Sequence, residues 1–172
     1  MDHLAARIAD AFAARICPVD GDITRCAYDR VNGGTMGGPC WECEEMSAYF
    51  AGKPWQSLGG EALRCNGQAD ALFTVEAYCY FLPASLLAAI REPRELDVCL
   101  DHLAYRFGPK PGESWPAERL AHVLRELTSD ERAAVHAYFA FALSRDDDWD
   151  GYIERALRNL AAPPAGEPLL MG

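Results

Sequence analysis

No stretch of this 172-residue sequence reads as a membrane span. The longest nearly uncharged apolar run, residues 77–90, contains Pro83 and falls short of the roughly 20 apolar residues a spanning helix needs. Alternating β-branched and polar residues are also scarce, which argues against a sheet. Base is in short supply: 16 Lys and Arg stand against 26 Asp and Glu, a formal net charge of −10. A surface of that sign repels phosphate backbones and anionic headgroups, so neither nucleic acid nor membrane is expected as a partner. A basic protein would instead be steered in. The same charge also serves plain solubility.

Catalytic signatures are missing as well. Ser47, Ser57, Ser85, Ser114, Ser129 and Ser144 lie in helical or capping contexts, without a Gly-x-Ser-x-Gly elbow. The glycine-rich stretch that includes Asn32-Gly33-Gly34 and Gly37-Gly38 is not followed by Lys-Ser or Lys-Thr, so it reads as a loop and not as a phosphate cradle. Met1-Asp2-His3 is not a basic leader start, and Arg7 and Asp10 interrupt any apolar leader core. The cysteines number seven, an odd count that fits a disulfide framework poorly and fits reduced thiols better. These features lead us to expect a cytoplasmic protein.

What is present is material for a helical core. Half of the residues are apolar, and a chain of this length buries about two-thirds of its unfolded surface. Leu4, Ile8, Phe12 and Ile16 form a helical stripe, with Asp2 as a cap and Cys17-Pro18 as the stop. Residues 18–38 have no period and read as a long loop with an extended piece at 23–28. Pro39 suits a helix's first turn, with Met46, Tyr49 and Phe50 on the buried side and Gly52 as the end. Short helical turns follow up to Gly67. Thr74 opens an apolar segment that Pro83 should kink or restart, and Pro93 restarts it again. Tyr78, Tyr80 and Phe81 read as core. Leu96, Leu100, Leu103 and Phe107 then repeat at helical spacing. Pro116 leads a helix with Leu120, Val123, Leu124 and Leu127 inside. Thr128-Ser129-Asp130-Glu131 is a capping box before Val135, Phe139 and Ala142. Asp146, Asp147, Asp148 and Trp149 cap the last helix, which buries Ile153, Leu157 and Leu160. The expected fold is therefore all-α or nearly so. It is a single-domain bundle of about six to seven helices over residues 1–160, with the long irregular loop after the first helix and a disordered tail at 161–172.

One segment concentrates reactive residue types: Pro39-Cys40-Trp41-Glu42-Cys43-Glu44-Glu45. Two thiolates three residues apart on a helix's first turn suit a zinc ion or a redox disulfide, and the helix dipole favours the anions. Glu42, Glu44 and Glu45 oppose thiolate formation. Cys17 and Cys26 are the candidates to complete a four-sulfur zinc site with Cys40 and Cys43. Their eight-residue gap is not a second Cys-x-x-Cys, and His102, His122 and His136 show no ligand pairing. The competing reading is that these cysteines pack as small hydrophobes, with no cofactor. Glu42, Glu44, Glu45, Asp146, Asp147 and Asp148 are explained by capping and dipole effects. With Trp41 as an anchor, they also form a candidate contact surface for a basic partner.

Three blocks resemble a family of uncharacterised bacterial proteins. They are Cys40-Trp41-Glu42-Cys43-Glu44-Glu45, then Tyr49-Phe50-Ala51-Gly52-Lys53-Pro54-Trp55, then Thr74-Val75-Glu76-Ala77-Tyr78-Cys79-Tyr80-Phe81-Leu82-Pro83-Ala84. In that family a cysteine/glutamate segment and a Gly-Lys-x-Trp element precede a Thr-Pro-Glu-Ala-Phe-x-Tyr-Tyr-Leu-Pro-Ala block. Here Val75 stands in the proline's place, and Tyr78 and Phe81 replace other aromatics. The resemblance spans residues 8–141 and leaves out the last helix and tail. It implies a compact, mainly helical bacterial cytosolic protein and carries no activity with it. The expectation is thus a non-enzymatic acidic protein that binds a basic partner, concretely an immunity protein covering a toxin. A zinc-binding or dithiol redox protein using Cys40 and Cys43 is the alternative.

Overall fold

A computed structural model of the protein describes residues 1–18, 23–24, 40–65, 69–96, 98–145 and 150–162. In chain order the helices are α1 (Asp2–Ala11), α2 (Trp41–Phe50), α3 (Gly60–Cys65), α4 (Val75–Arg91), α5 (Val98–Phe107), α6 (Ser114–Glu126), α7 (Ser129–Leu143) and α8 (Tyr152–Ala161). Single helical turns occur at Trp55–Ser57, Ala69–Leu72 and Pro93–Leu96. Among the described residues there is no strand, only one isolated antiparallel bridge between Thr24 and Phe73. The fold is all-α, as its patterning predicts. Among the described residues no helix is long and apolar enough to cross a membrane.

The chain divides into two compact units. One is Phe12–Cys99; the other joins Met1–Ala11 to Leu100–Gly172. The first is organised by α4, which is apolar all round and buries every residue of 77–90 except Ser85, which stays half-buried. A helix with no polar face belongs inside. Thr74 caps it, its hydroxyl accepting from the Ala77 amide at 3.1 Å. Pro83 does not restart this helix, one of the two outcomes expected from its missing donor. The helix continues from Val75 to Arg91 with Pro83 inside and fully buried. The missing bond to the Cys79 carbonyl, about 3 kcal/mol or more in an isolated helix, is outweighed by burial on both sides of it. Phe50, Phe73 and Phe81 meet in a ring cluster, with centroids 4.9 to 5.2 Å apart. The Gly60 amide donates to the Glu92 carboxylate at 2.9 Å, tying the start of α3 to the residue after α4.

Two more details depart from the sequence pattern. The stripe through Leu4, Ile8, Phe12 and Ile16 breaks at Ala11, where a tight turn closes with Arg15 N–H bonded to Phe12 O at 3.2 Å. Phe12 is buried while Ile16 is 90% exposed. On α2 the inward positions are Cys43 and Phe50; Met46 and Tyr49 are only half-buried. Gly52 ends that segment at φ +67°, a conformation a side chain disfavours.

In the second unit α7 packs against α1 and α8. The predicted capping box is present: Thr128 Oγ1 accepts from the Glu131 amide at 3.3 Å, and the Glu131 carboxylate accepts from the Thr128 amide at 2.8 Å. Val135, Phe139 and Ala142 are buried, and Phe107 meets Phe139 at 5.4 Å between centroids. Arg7 donates to the Ala133 carbonyl at 3.1 Å, and Arg132 to the Leu160 and Ala162 carbonyls. Helix α6 begins two residues before Pro116, at Ser114; it buries Leu120 and Val123, its C-cap Leu127 is buried, and Leu124, expected inside, is half-buried. Helix α8 starts after Gly151 (φ +67°) and buries Ile153, Ala156 and Leu160 at helical spacing, while Leu157, expected inside, is half-buried. It runs to Ala161, one residue into the stretch expected to be tail. The expected caps Asp146, Asp147 and Asp148 lie outside the described residues, as do Pro39 and residues 163–172.

Candidate functional site

The first turn of α2 sorts its residues by the helical period. Cys40 is the N-cap in extended conformation, and its side chain makes no capping bond. Its carbonyl opens the helix by accepting from the Glu44 amide at 3.0 Å. Cys43 points inward and is 9% exposed, whereas Trp41, Glu42, Glu44 and Glu45 all face outward. Trp41 is 68% exposed, among the largest apolar side chains left in solvent. The helix dipole stabilises the three carboxylates where they stand. It does nothing for an exposed indole.

Behind this outer face α2 is pinned by Thr24. Its hydroxyl donates to the Cys43 carbonyl at 3.0 Å and hydrogen-bonds the Ser47 hydroxyl at 2.7 Å. The adjoining Ile23 carbonyl accepts from the Thr74 amide at 2.9 Å, so one short piece links α2 to the cap of α4. Thr24 and Ser47 were missed by sequence reasoning. The only available signal was the extended piece predicted at 23–28; of its two described residues Thr24 forms the bridge to Phe73. At the far end of α2 the Lys53 ammonium sits 3.2 Å over the Tyr49 ring.

Cys17 is engaged elsewhere. Its thiol donates to the Lys53 carbonyl at 3.7 Å and is hydrogen-bonded to the Tyr80 hydroxyl. Burial, then the Cys17 contact, pushes the Tyr80 phenol above its ordinary value, and a Trp55 backbone donor works the other way. Among the described residues no three His, Cys, Asp or Glu side chains converge as metal ligands, so Cys17, Cys40 and Cys43 do not form such a set. Cys26, the fourth candidate ligand, lies outside the described residues, as do Asp146, Asp147 and Asp148. The structure thus brings Trp41, Glu42, Glu44 and Glu45 together on one exposed face and separates Cys43 from them on the other. No protein-family model matches the chain, and no solved structure matches it.

Proposed function

We propose that this protein is a non-catalytic interaction protein whose α2 outer face receives a basic protein partner, most concretely a toxin that it neutralises. The observation that carries the reading is the 68% exposure of Trp41 beside the exposed Glu42, Glu44 and Glu45. An indole left in water forgoes burial, and aromatic anchors ringed by polar groups are the residues that dominate protein–protein affinity. Carboxylates around it select a cationic surface and raise the encounter rate, which a net charge of −10 reinforces at longer range. A cytosolic setting suits such a partnership.

The test is capture of partners from a host lysate at low salt, with the wild-type chain and a Trp41→Ala/Glu42→Gln/Glu44→Gln/Glu45→Gln variant in parallel. The expected result is a basic protein held by the wild type, released as salt shortens the screening length from about 10 Å towards 3 Å, and lost by the variant. A partner held equally by both, or indifferent to salt, overturns the reading.

A further inference from the structure

A concentration of positive charge lines a cavity of about 520 Å³ in the unit that contains α5 to α8. Helix α6 supplies Ala117, Leu120, Ala121, Leu124 and Arg125 to it, one face at intervals of three and four. Helix α8 supplies Arg155, Arg158, Asn159 and Ala162 on the same spacing. The connection Pro109-Lys110-Pro111-Gly112 closes one end. Four cations therefore converge on an otherwise apolar wall, and no acidic side chain lines the cavity among the described residues.

The cavity is built, and one of its cations is incompletely bonded. Arg155 Nε donates to the Gly108 carbonyl at 2.9 Å and Nη1 to the Asp150 carbonyl at 3.1 Å, while the guanidinium lies 4.6 Å from the Tyr152 ring centroid. These partners fix the group, and none of them is an anion. Its third nitrogen, Nη2, is buried and has no hydrogen-bond partner. A buried guanidinium donor without an acceptor costs about 1–3 kcal/mol or more. Among the described residues Arg158 meets Glu154 at 4.0 Å, and Lys110 meets Asp150 at 3.5 Å as well as the Tyr152 side chain. Both pairs are open to solvent and hold their cations weakly.

We propose that this cavity binds a small organic oxyanion, a carboxylate or phosphate monoester carried on an apolar body. Its volume lies within the range of small-molecule sites, and the mixture of apolar wall and few convergent polar groups is what such sites share. Guanidinium groups suit either oxyanion because they donate in pairs. Leu120, Leu124 and the prolines take the apolar body. The proposal is independent of the α2 surface and stands or falls without it.

The test follows amide shifts of the full chain by NMR during titration with phenyl phosphate, benzoate, benzyl alcohol and inorganic phosphate. Phenyl phosphate, benzoate or both should move the amides of Gly112, Leu124 and Asn159, and whichever binds tighter identifies the oxyanion. Benzyl alcohol and inorganic phosphate should each bind at least about tenfold more weakly, lacking the charge or the apolar body. Arg125→Gln and Arg158→Gln alter exposed side chains and should leave the melting temperature in place while weakening binding about tenfold. The proposal is overturned if neither organic anion shifts these amides at about 10 mM. It is equally overturned if benzyl alcohol or inorganic phosphate binds as well, or if both arginine variants bind like the wild type.

Discussion

Gly108 shows how much one residue can decide. A Cβ built there would land on the Tyr152 carbonyl oxygen and the Ala156 amide, so the end of α5 passes against the backbone of α8 with no room for a methyl group. The contact is fastened by Arg155 donating to the Gly108 carbonyl and Asn159 to the Phe107 carbonyl at 2.8 Å. Gly108→Ala must push backbone against backbone, and we expect a loss of about 2–4 kcal/mol of unfolding free energy, read by urea denaturation. A change below about 0.5 kcal/mol would show that the helix can shift aside. Trp41→Ala gives the opposite pattern. Its side chain lies mostly in water, so stability should move by less than about 0.5 kcal/mol while capture of a basic partner falls. These two residues also mark the limits of a sequence reading. Gly108 reads as a helix stop, and nothing in the pattern tells that α8 lies against it. Ile16 continues an apolar stripe and yet ends up exposed, because period assigns a face and not the length of the helix that carries it.

At the level of elements, caps and periods were the legible signals. The α7 capping box, the buried faces of α6, α7 and α8, and the Thr74 cap of α4 all follow from side-chain chemistry within four residues. Pro83 was misleading because its local penalty is real, and only the burial of the whole of α4 overrides it. The anchoring of α2 was illegible for a different reason: Thr24 is a lone polar residue whose partners lie about 20 positions away in the chain. Two substitutions separate these contributions. Thr128→Ala removes one half of the capping box and should cost about 1 kcal/mol in denaturant unfolding, with Thr128→Ser recovering most of it. Thr24→Val removes both hydroxyl bonds, strands the partly buried Ser47 hydroxyl, and should cost about 1–2 kcal/mol. If Thr24→Val instead leaves stability unchanged, packing such as the Phe50–Phe73 ring contact, and not the hydroxyl, holds α2 in place.

For the molecule as a whole, three titrating groups among the described residues act in one pH window. Tyr80 and Tyr105 are both raised above the ordinary 10.0, Tyr80 first by burial and then by Cys17, Tyr105 first by burial and then by the Glu113 charge. Lys110 is raised above 10.5, first by its hydrogen bond with Tyr152 and then by the Asp150 carboxylate. In each case the folded protein holds its proton more tightly than the unfolded chain does. The stability this contributes is complete below the unfolded value and is lost as pH climbs from there through the folded one. Deprotonation also makes an already negative molecule more so, adding self-repulsion in the same direction. These three groups therefore make the melting temperature fall increasingly steeply from about pH 10 upward. Tyr80→Phe isolates one contribution. It should start lower at neutral pH, having lost its bonds to Cys17 and the Trp55 backbone, and then decline less steeply than the wild type above pH 10, so that the two curves converge. Curves that stay parallel through that range would mean that Tyr80 ionises alike in the folded and unfolded chains, and that its buried hydroxyl contributes to stability only through the bonds it makes when neutral.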